Sequence, residues 1–589
     1  DFALDPTRRW HSPDEVTWRT AIVVPFAPET RASGVGEAGF FQRCWYRRRI
    51  DPPALGPDER LVLHFGAVDY AATVWVDGDC VVHHEGGYTP FSADLGARAR
   101  PGRPLTIVVC VDDDPHELSK PRGKQDWKRE PHVIWYPRTS GIWQTVWMER
   151  VPATAIAGLV WTPNLERWEI GFEARLDGAP RHDLRLAVRL HVGDLVLAED
   201  VYALTAGEVT RRIALSDPGI DDFRNELLWS PASPTLIDAE VRLVDADGTV
   251  IDDVRSYTAL RAFTLQGDRT LLNGRPYGLR LVLDQGYWRD TGLTAPDDAA
   301  LRRDVELAKE MGFNGVRKHQ KIEDPRYLYW ADRLGLLVWE EMPSAYRFTR
   351  TAIERLTREW LEAIARDVSH PCIVAWVPFN ESWGVPNLPE IPAQRHFVQA
   401  LYHLTHTIDP TRPVIGNDGW ESIATDIVGI HDYDQDVERL ARRYETDEVI
   451  PHLFRRERPG GRLLALDGHE HAGQPIVLTE FGGIVCAPDR ARTWGHARAT
   501  GPADFAAQYE ALLATIHRLT LFAGFCYTQF ADTYQEANGL LSADRVPKFP
   551  LDAIRRATRG PRTARQEEAE LENRERMAEF HRLHRVPLP

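Results

Sequence analysis

The sequence predicts a multidomain chain: an N-terminal β jelly roll over residues 1–153, an immunoglobulin-like β-sandwich over 154–262, and a C-terminal (β/α)8 TIM barrel over 263–589. Three observations predict it. At 589 residues the chain exceeds what one hydrophobic core serves. Short β-rich runs punctuated by turn residues fill the positions up to about 262. Beyond that point strand-like and helix-like segments alternate to the end.

In the first part, 61–65 and 72–76 are β-rich, and the second run ends at Asp77-Gly78, a hairpin turn signal. Apolar runs at 105–111 and 141–148 follow, and helical periodicity is absent, which suits a jelly roll or sandwich. In the second part, 184–190 and 239–244 alternate apolar and polar with period two, the latter leading into a turn at 245–248. In the third part, 297–311 reads as a helix with Leu301, Val305, Ala308 and Met311 on one face. Residues 294–297 resemble a capping box at its start, and Gly312 stops it. Asp324-Pro325 opens a second helix that Gly335 closes. Strand-like runs at 279–283, 313–317, 336–339, 373–379, 413–415, 427–430, 476–478 and 522–527 make eight. The tail from 562 to 585, dense in mixed charge, reads as a solvated helix.

The net charge of −16 argues against a nucleic-acid partner, since polyanions need basic patches. No run of 18 apolar residues marks a membrane helix, so no membrane partner is expected. The six cysteines include no CxxC pair and read as reduced, mostly buried thiols; this favours the cytoplasm, although a start at Asp1 leaves a removed leader open. No histidine or carboxylate ladder has metal-ligand spacing, so neither metal nor cofactor is expected. Nineteen tryptophans are high for this length; cores account for most of them, and indole faces are also platforms for sugar rings.

Chemistry in such barrels sits where strands end on the C-terminal face. The run 373–379 leads directly into Asn380-Glu381, and 475–479 leads directly into Glu480. Two apolar strands that each deliver a glutamate at their last position fit cleavage of a glycosidic bond with retention. One carboxyl, Glu381, protonates the leaving oxygen and later activates water; the other, Glu480, stays ionised and attacks the anomeric carbon. Arg317, at the end of the second strand, is placed to favour the ionised form of Glu480. Asn380 offers an amide to a 2-hydroxyl.

These motifs resemble glycoside hydrolase family 2, the family of β-galactosidases, β-glucuronidases and β-mannosidases. Residues 141–147 (GIWQTVW) resemble the strand that closes its jelly roll, and Leu228-Trp229-Ser230-Pro231 its middle-domain motif. Asn273-Gly274-Arg275-Pro276, 312–317 (GFNGVR) and 332–336 (DRLGL) are similar to its barrel entry and its second and third units. Asn380-Glu381 matches its acid/base motif and Thr479-Glu480-Phe481-Gly482 its nucleophile motif. The resemblance implies a retaining exo-β-glycosidase of the β-galactosidase type, with a carbohydrate partner and a homo-oligomer. The sequence departs from the family at three places. Arg317 is followed by Lys318-His319-Gln320-Lys321, which offers His319 as a sugar contact. The asparagine-x-lysine motif with which family β-glucuronidases grip a uronate carboxylate is not visible over 539–548. Tyr527 and Gln529 stand where many members have tryptophan and asparagine.

Further substrate-binding candidates follow from strand ends: Asp284 and Trp288 after strand one, Glu341 after strand three, Trp383 beside the acid/base, His431 and Tyr433 after strand six, and Tyr527 and Asp532 after strand eight. Glu536 reads as part of a solvated loop. The basic, aromatic stretch 120–138 reads as a solvated or interface loop, with a reach over the barrel mouth, and an acidic sugar there, as the alternative. The rival class is a carbohydrate-binding protein that kept the fold without activity. Within the enzyme class, a β-glucuronide, mannoside, arabinoside or furanoside is the alternative sugar.

Overall fold

A computed structural model describes residues 1–96, 98–100, 102–178, 183–204, 207–215, 224–487 and 492–587. The N-terminal jelly roll packs a five-stranded sheet, in the order Phe2–Leu4, Arg43–Ile50, Leu105–Asp112, Ala71–Val76 and Asp79–Glu85, against a three-stranded one of Val146–Pro152, Glu59–Phe65 and Phe91–Asp94. Val74 and Val109 from one sheet meet Leu63 and Phe65 from the other in a shared core. The hairpin turn falls at Asp77-Gly78 as expected. Both residues have positive φ, 51° and 91°, which matches the twist of the strands it joins. The expected strand over 141–148 splits into Gly141–Ile142 and Val146–Pro152, which pair with different partners.

The immunoglobulin-like sandwich sets Ala155–Asn164, Glu169–Asp177 and Glu208–Ala214 against Leu195–Ala203, Arg185–Val192, Ile237–Val244 and Val250–Thr258. The period-two runs behave as the sequence requires: Leu186, Val188 and Leu190 are buried, and the residues between them are not. The C-terminal helix, Ala564–His584, corrects an expectation. It begins with a capping box of Thr563 and Gln566, but it is not solvated all round. Met577 and Phe580 are buried in the core of this sandwich, and Arg576 pairs with Glu226 at 2.6 Å. One apolar turn in a charged helix is too brief a signal for periodicity to register.

In the TIM barrel seven parallel strands form one sheet, in the order Ile373–Val377, Leu337–Glu341, Gly315–Lys318, Leu279–Asp284, Phe522–Thr528, Ile476–Gly482 and Val428–His431. The remaining position, 413–415, is bonded to its neighbours without becoming a full strand. Trp376 N–H donates to Pro413 O (3.1 Å), Ile415 N–H to Trp376 O (2.9 Å) and Asp426 N–H to Val414 O (2.9 Å). Pro413 has no N–H to give, so the ladder stays short there. The outer helices include Asp298–Glu310, Pro325–Leu334, Arg350–Asp367, Pro392–Ile408 and Pro502–Ile516. Gly335 closes its helix at φ 77°, as expected. The expected capping box over 294–297 is not formed. Asp297 alone caps, accepting from Ala300 N–H at 2.8 Å, while Thr294 Oγ1 turns away to Trp143 O at 2.7 Å. A hydroxyl captured by the jelly roll is not available to its own helix.

All six cysteines are free. Among the described residues no helix is long and apolar enough to cross a membrane. Removing the ring that seats the last helix tests its docking. Phe580→Ala lowers unfolding stability by about 3 kcal/mol in denaturant titration, the usual cost of deleting a buried aromatic. An unchanged midpoint would mean that the helix contributes nothing to the sandwich.

Candidate active site

The ends of the barrel strands converge on a cavity of about 570 Å³. Its lining includes Glu381, Glu480, His319, His431, Tyr433, Gln285 and Thr528, with Trp135, Trp420, Trp494 and His496 as flat walls. At the base lies Arg317, fully buried. Its Nη1 donates to Glu480 Oε1 (2.8 Å), its Nη2 to Asn380 Oδ1 (2.6 Å) and its Nε to Glu341 Oε2 (2.8 Å). Asp418 Oδ2 stands 3.0 Å from the same Nη1. One guanidinium from the second barrel position therefore fixes groups from the third, fourth, fifth and seventh.

Glu480 accepts a second bond from Tyr433 Oη at 2.6 Å, and Tyr433 is stacked on His496 with ring centroids 3.4 Å apart. Burial alone would raise the Glu480 carboxyl. The charges of His431 and then Arg317 overcome it and bring the group down from 4.5 to about 2. His431 responds in the opposite sense. Burial disfavours its cation, but Glu480, Asp418 and Glu381 around it raise it from 6.5 to about 10. Its Nδ1 is 2.7 Å from Glu381 Oε1 and its Nε2 is 3.3 Å from Asp418 Oδ2. His319, 2.9 Å from Glu341 Oε1, is held neutral by burial and by the cations of Lys124 and Arg317. Burial pushes Glu341 up to about 7 against the pull of Arg317.

Glu381 hangs from a backbone in the left-handed region, φ 52°, followed by Ser382 at φ 58°. Such residues carry strain unless their surroundings over-determine them. Here they do: Glu381 N–H donates to Asp418 O (3.0 Å), Ser382 N–H to Asn417 Oδ1 (2.9 Å) and Ser382 Oγ to Glu421 Oε2 (2.6 Å). Oxygens of Glu381 and Glu480 and a ring nitrogen of His431 lie within 4.8 Å of one another. Three such atoms are near enough to share a cation. The protonated imidazole already supplies positive charge there, with each nitrogen facing a carboxylate.

The expected site residues divide into those at the cavity and those behind it. Glu381, Glu480, His319, His431 and Tyr433 line it. Asn380 is not part of its lining; it is held by Arg317 behind it, and its amide Nδ2 is buried without a protein acceptor. Arg317 and Glu341 form the layer beneath. Trp383 backs Trp135, ring centroids 6.0 Å apart. Asp284 is turned away, accepting from Lys318 Nζ at 2.7 Å; the next residue, Gln285, reaches the cavity instead. Tyr527 faces the helix layer, where it packs on Gly482 and Tyr509, because alternation along the strand brings Thr528 inward. Asp532 lines a separate cavity of about 180 Å³ with Trp288, and pairs with Lys548 at 2.6 Å.

One reading of a loop is overturned: Glu536 is not solvated but buried, accepting from Tyr136 Oη at 2.5 Å. In the stretch 120–138 only Lys128, Arg129, Glu130 and Val133 are exposed; the rest packs at the interface with the barrel, and Lys124, Ile134 and Trp135 line the cavity, in line with the interface reading and with the reach over the barrel mouth. Asp418, Trp420, Trp494 and His496 were not anticipated. Asp418 alone carried a signal, since it follows the short fifth strand.

The family model for the TIM barrel domain of glycosyl hydrolases family 2 matches residues 263–489, and a second model of glycosyl hydrolases family 2 matches 154–261. Together they span more than half the chain, which belongs to glycoside hydrolase family 2. A β-galactosidase of Thermoanaerobacter pseudethanolicus is 26% identical over 383 residues, 63% of this chain and 48% of that one. The chain spans less than half the length of the curated relatives it matches, between 38% and 48%. Among solved structures, a Bifidobacterium dentium β-glucuronidase complexed with coumarin-3-O-glucuronide is similar at TM-score 0.76 and 20% identity, covering 92% of each chain. A β-galacturonidase from Eisenbergiella tayi bound to glycerol is similar at TM-score 0.71 and 20% identity, covering 94% and 95%. At these identities the solved structures speak for the fold.

The electrostatics of His431 give a prediction with a definite sign. A folded-state value raised from 6.5 to about 10 contributes stability that is complete below 6.5 and lost as pH rises through about 10. The stability difference between wild type and His431→Gln, measured by thermal unfolding, therefore narrows steadily from pH 6.5 to pH 10. A difference constant across that range would mean that His431 is not held as a cation.

Proposed function

We propose that the chain is a retaining exo-β-glycosidase that removes one terminal sugar by double displacement. The observation that carries this is the placing of Glu381 and Glu480, whose oxygens come within 4.8 Å across the cavity while Glu480 alone is clamped by Arg317 and Tyr433. Retaining enzymes hold their carboxyls about 5–5.5 Å apart, whereas inverting ones need about 6.5–9.5 Å to seat a water. Glu480, kept anionic, attacks the anomeric carbon and forms a glycosyl ester as the aglycone oxygen takes the proton of Glu381. Glu381, now a base, then deprotonates a water that displaces the sugar from Glu480 and restores the carboxylate. Arg317 and Tyr433 hold Glu480 and not Glu381, which puts the two carboxyls in unlike surroundings, as their unlike roles require. The Nδ2 of Asn380, which has no acceptor in the protein, supports a bond to the sugar's 2-hydroxyl.

The exo reading is supported by membership of glycoside hydrolase family 2. The β-galactosidase type is the reading favoured by the resemblance in sequence and by the name of the Thermoanaerobacter relative. A β-uronide is the second reading, favoured by a single side chain, Lys124, taken up below. The same proposal keeps 1–153, 154–262 and 263–589 as the limits of the three domains.

A panel of nitrophenyl β-glycosides tests the chemistry. Glu480→Gln lowers kcat on any accepted substrate by roughly 10,000-fold, and Glu381→Gln by about 100- to 10,000-fold. The first-formed sugar, observed by NMR before mutarotation, is the β anomer. An α product would overturn the retaining mechanism. Absence of turnover throughout the panel would favour a carbohydrate-binding protein.

A further inference from the structure

The reaction proposed above makes no use of the basic stretch over 120–138, yet the structure inserts that stretch into the cavity wall. Of its six lysines and arginines, Lys128 and Arg129 are exposed and three others are occupied. Lys120 is paired with Asp113. Arg122 donates to the carbonyl oxygens of Pro115 (3.0 Å), Gln125 (3.0 Å) and Asp126 (2.7 Å). Arg138 bonds Phe41 O at 2.7 Å and pairs with Asp113. Lys124 differs. It is 5% exposed and lines the cavity, and among the described residues its ammonium has neither an ion-pair partner nor a hydrogen-bond acceptor in the protein. It lies between two rings, 5.4 Å from the centroid of Trp383 and 5.7 Å from that of Tyr136. Cation–π attraction offsets part of its desolvation but supplies no protein acceptor for its three N–H donors. Glu536 is close enough to feel the charge, but it is bonded to Tyr136 and Asn538 instead.

The chain places Lys124 with some care. Gly123 adopts φ +59°, and a Cβ there would stand 2.4 Å from Gln320 O, so only glycine lets the loop lie against the barrel. The carbonyl of Gly123 accepts from Tyr346, and Lys124 O accepts from Tyr136 N–H at 2.8 Å. The backbone on both sides of the lysine is therefore fixed. A second observation comes from the opposite wall. Lys548, the one lysine in the 539–548 stretch, is bonded to Asp532 (2.6 Å) and to Ala537 O (2.9 Å), and it is absent from the cavity lining. The unpaired ammonium of the cavity comes from the jelly-roll side.

We propose that Lys124 is the specificity-determining residue of this cavity and that it holds the carboxylate of a terminal β-linked uronic acid. The assignment rests on the reading of the cavity as the sugar site of a β-glycosidase. An ammonium that faces the cavity without a counter-ion in the protein is a ready partner for an anion, and a uronate supplies that anion together with acceptors for its protons. A neutral hexoside presents a hydroxymethyl group instead and leaves the cation unpaired, so discrimination comes from both the gain and the loss.

The test compares nitrophenyl β-D-glucuronide and β-D-galacturonide with the matching β-D-glucoside and β-D-galactoside, for wild type, Lys124→Met and Lys124→Arg. Wild type is expected to show a higher kcat/KM on at least one uronide than on its neutral counterpart. Lys124→Met is expected to lower the uronide value by about 10- to 100-fold, mainly through KM, which is the range for a hydrogen bond to a charged group. The loss on the neutral glycosides should be about 10-fold smaller. Lys124→Arg, which keeps the charge, should retain much of the preference. A wild-type preference for the neutral sugars, or an equal loss on both classes in Lys124→Met, overturns the proposal. Calorimetry with free D-glucuronate, D-galacturonate, D-glucose and D-galactose on the Glu480→Gln protein separates the two readings. If no glycoside is cleaved but a uronate binds and Lys124→Met abolishes that binding, the catalytic reading falls and the role of Lys124 stands. If neither uronate binds in preference to its neutral sugar, the role of Lys124 falls.

Discussion

The buried guanidinium of Arg317 is the contact on which the site depends. A cation of this kind is tolerable only where anions and acceptors surround it, and four side chains do so: Glu480, Asp418, Glu341 and Asn380. Each comes from a different barrel position, so the arrangement exists only when the ring of strands has closed. Breaking a buried pair of this type by removing one member typically costs about 3–5 kcal/mol, because the remaining charge is left uncompensated. The same contact therefore stabilises the barrel mouth and holds Glu480 as an anion. A lysine in its place would supply charge without the fork that reaches several partners at once.

Around that contact the two glutamates are treated differently. Glu480 is held by Arg317 and Tyr433, and the stacking of Tyr433 on His496 limits how the phenol can move. Glu381 projects from a strained segment whose conformation is fixed by Asp418, Asn417 and Glu421. His431 lies between them. Strain at one side chain and electrostatic clamping at the other are two ways of spending folding energy on position, and both draw on the fifth barrel position through Asp418.

Much of this was legible in the sequence. Strand periodicity and turn residues gave the two β parts, and an apolar run ending in a glutamate is a local pattern that points to the barrel mouth. Family resemblance reinforced Arg317, Asn380, Glu381 and Glu480. What was not legible depends on contacts between distant segments. Tyr527 turns outward because of where its strand enters the ladder, and a run that is apolar throughout does not reveal its phase. Thr294 leaves its helix for Trp143, far away in the chain. Trp420, Trp494 and His496 come from loops whose paths are set by the whole barrel. In the 120–138 stretch charge alone does not separate a solvated loop from an interface loop; which residues are buried becomes visible only when Gly123 is seen against Gln320.

The helix Ala564–His584, which follows the barrel in sequence, completes the core of the sandwich. During synthesis the sandwich strands therefore emerge well before the side chains that finish their hydrophobic face. Until Met577 and Phe580 leave the ribosome, that face stays uncovered and open to association with other nascent chains. Folding of the middle of the protein is thus tied to the completion of a segment made after the barrel, an order of events that a simple domain-by-domain sequence does not describe.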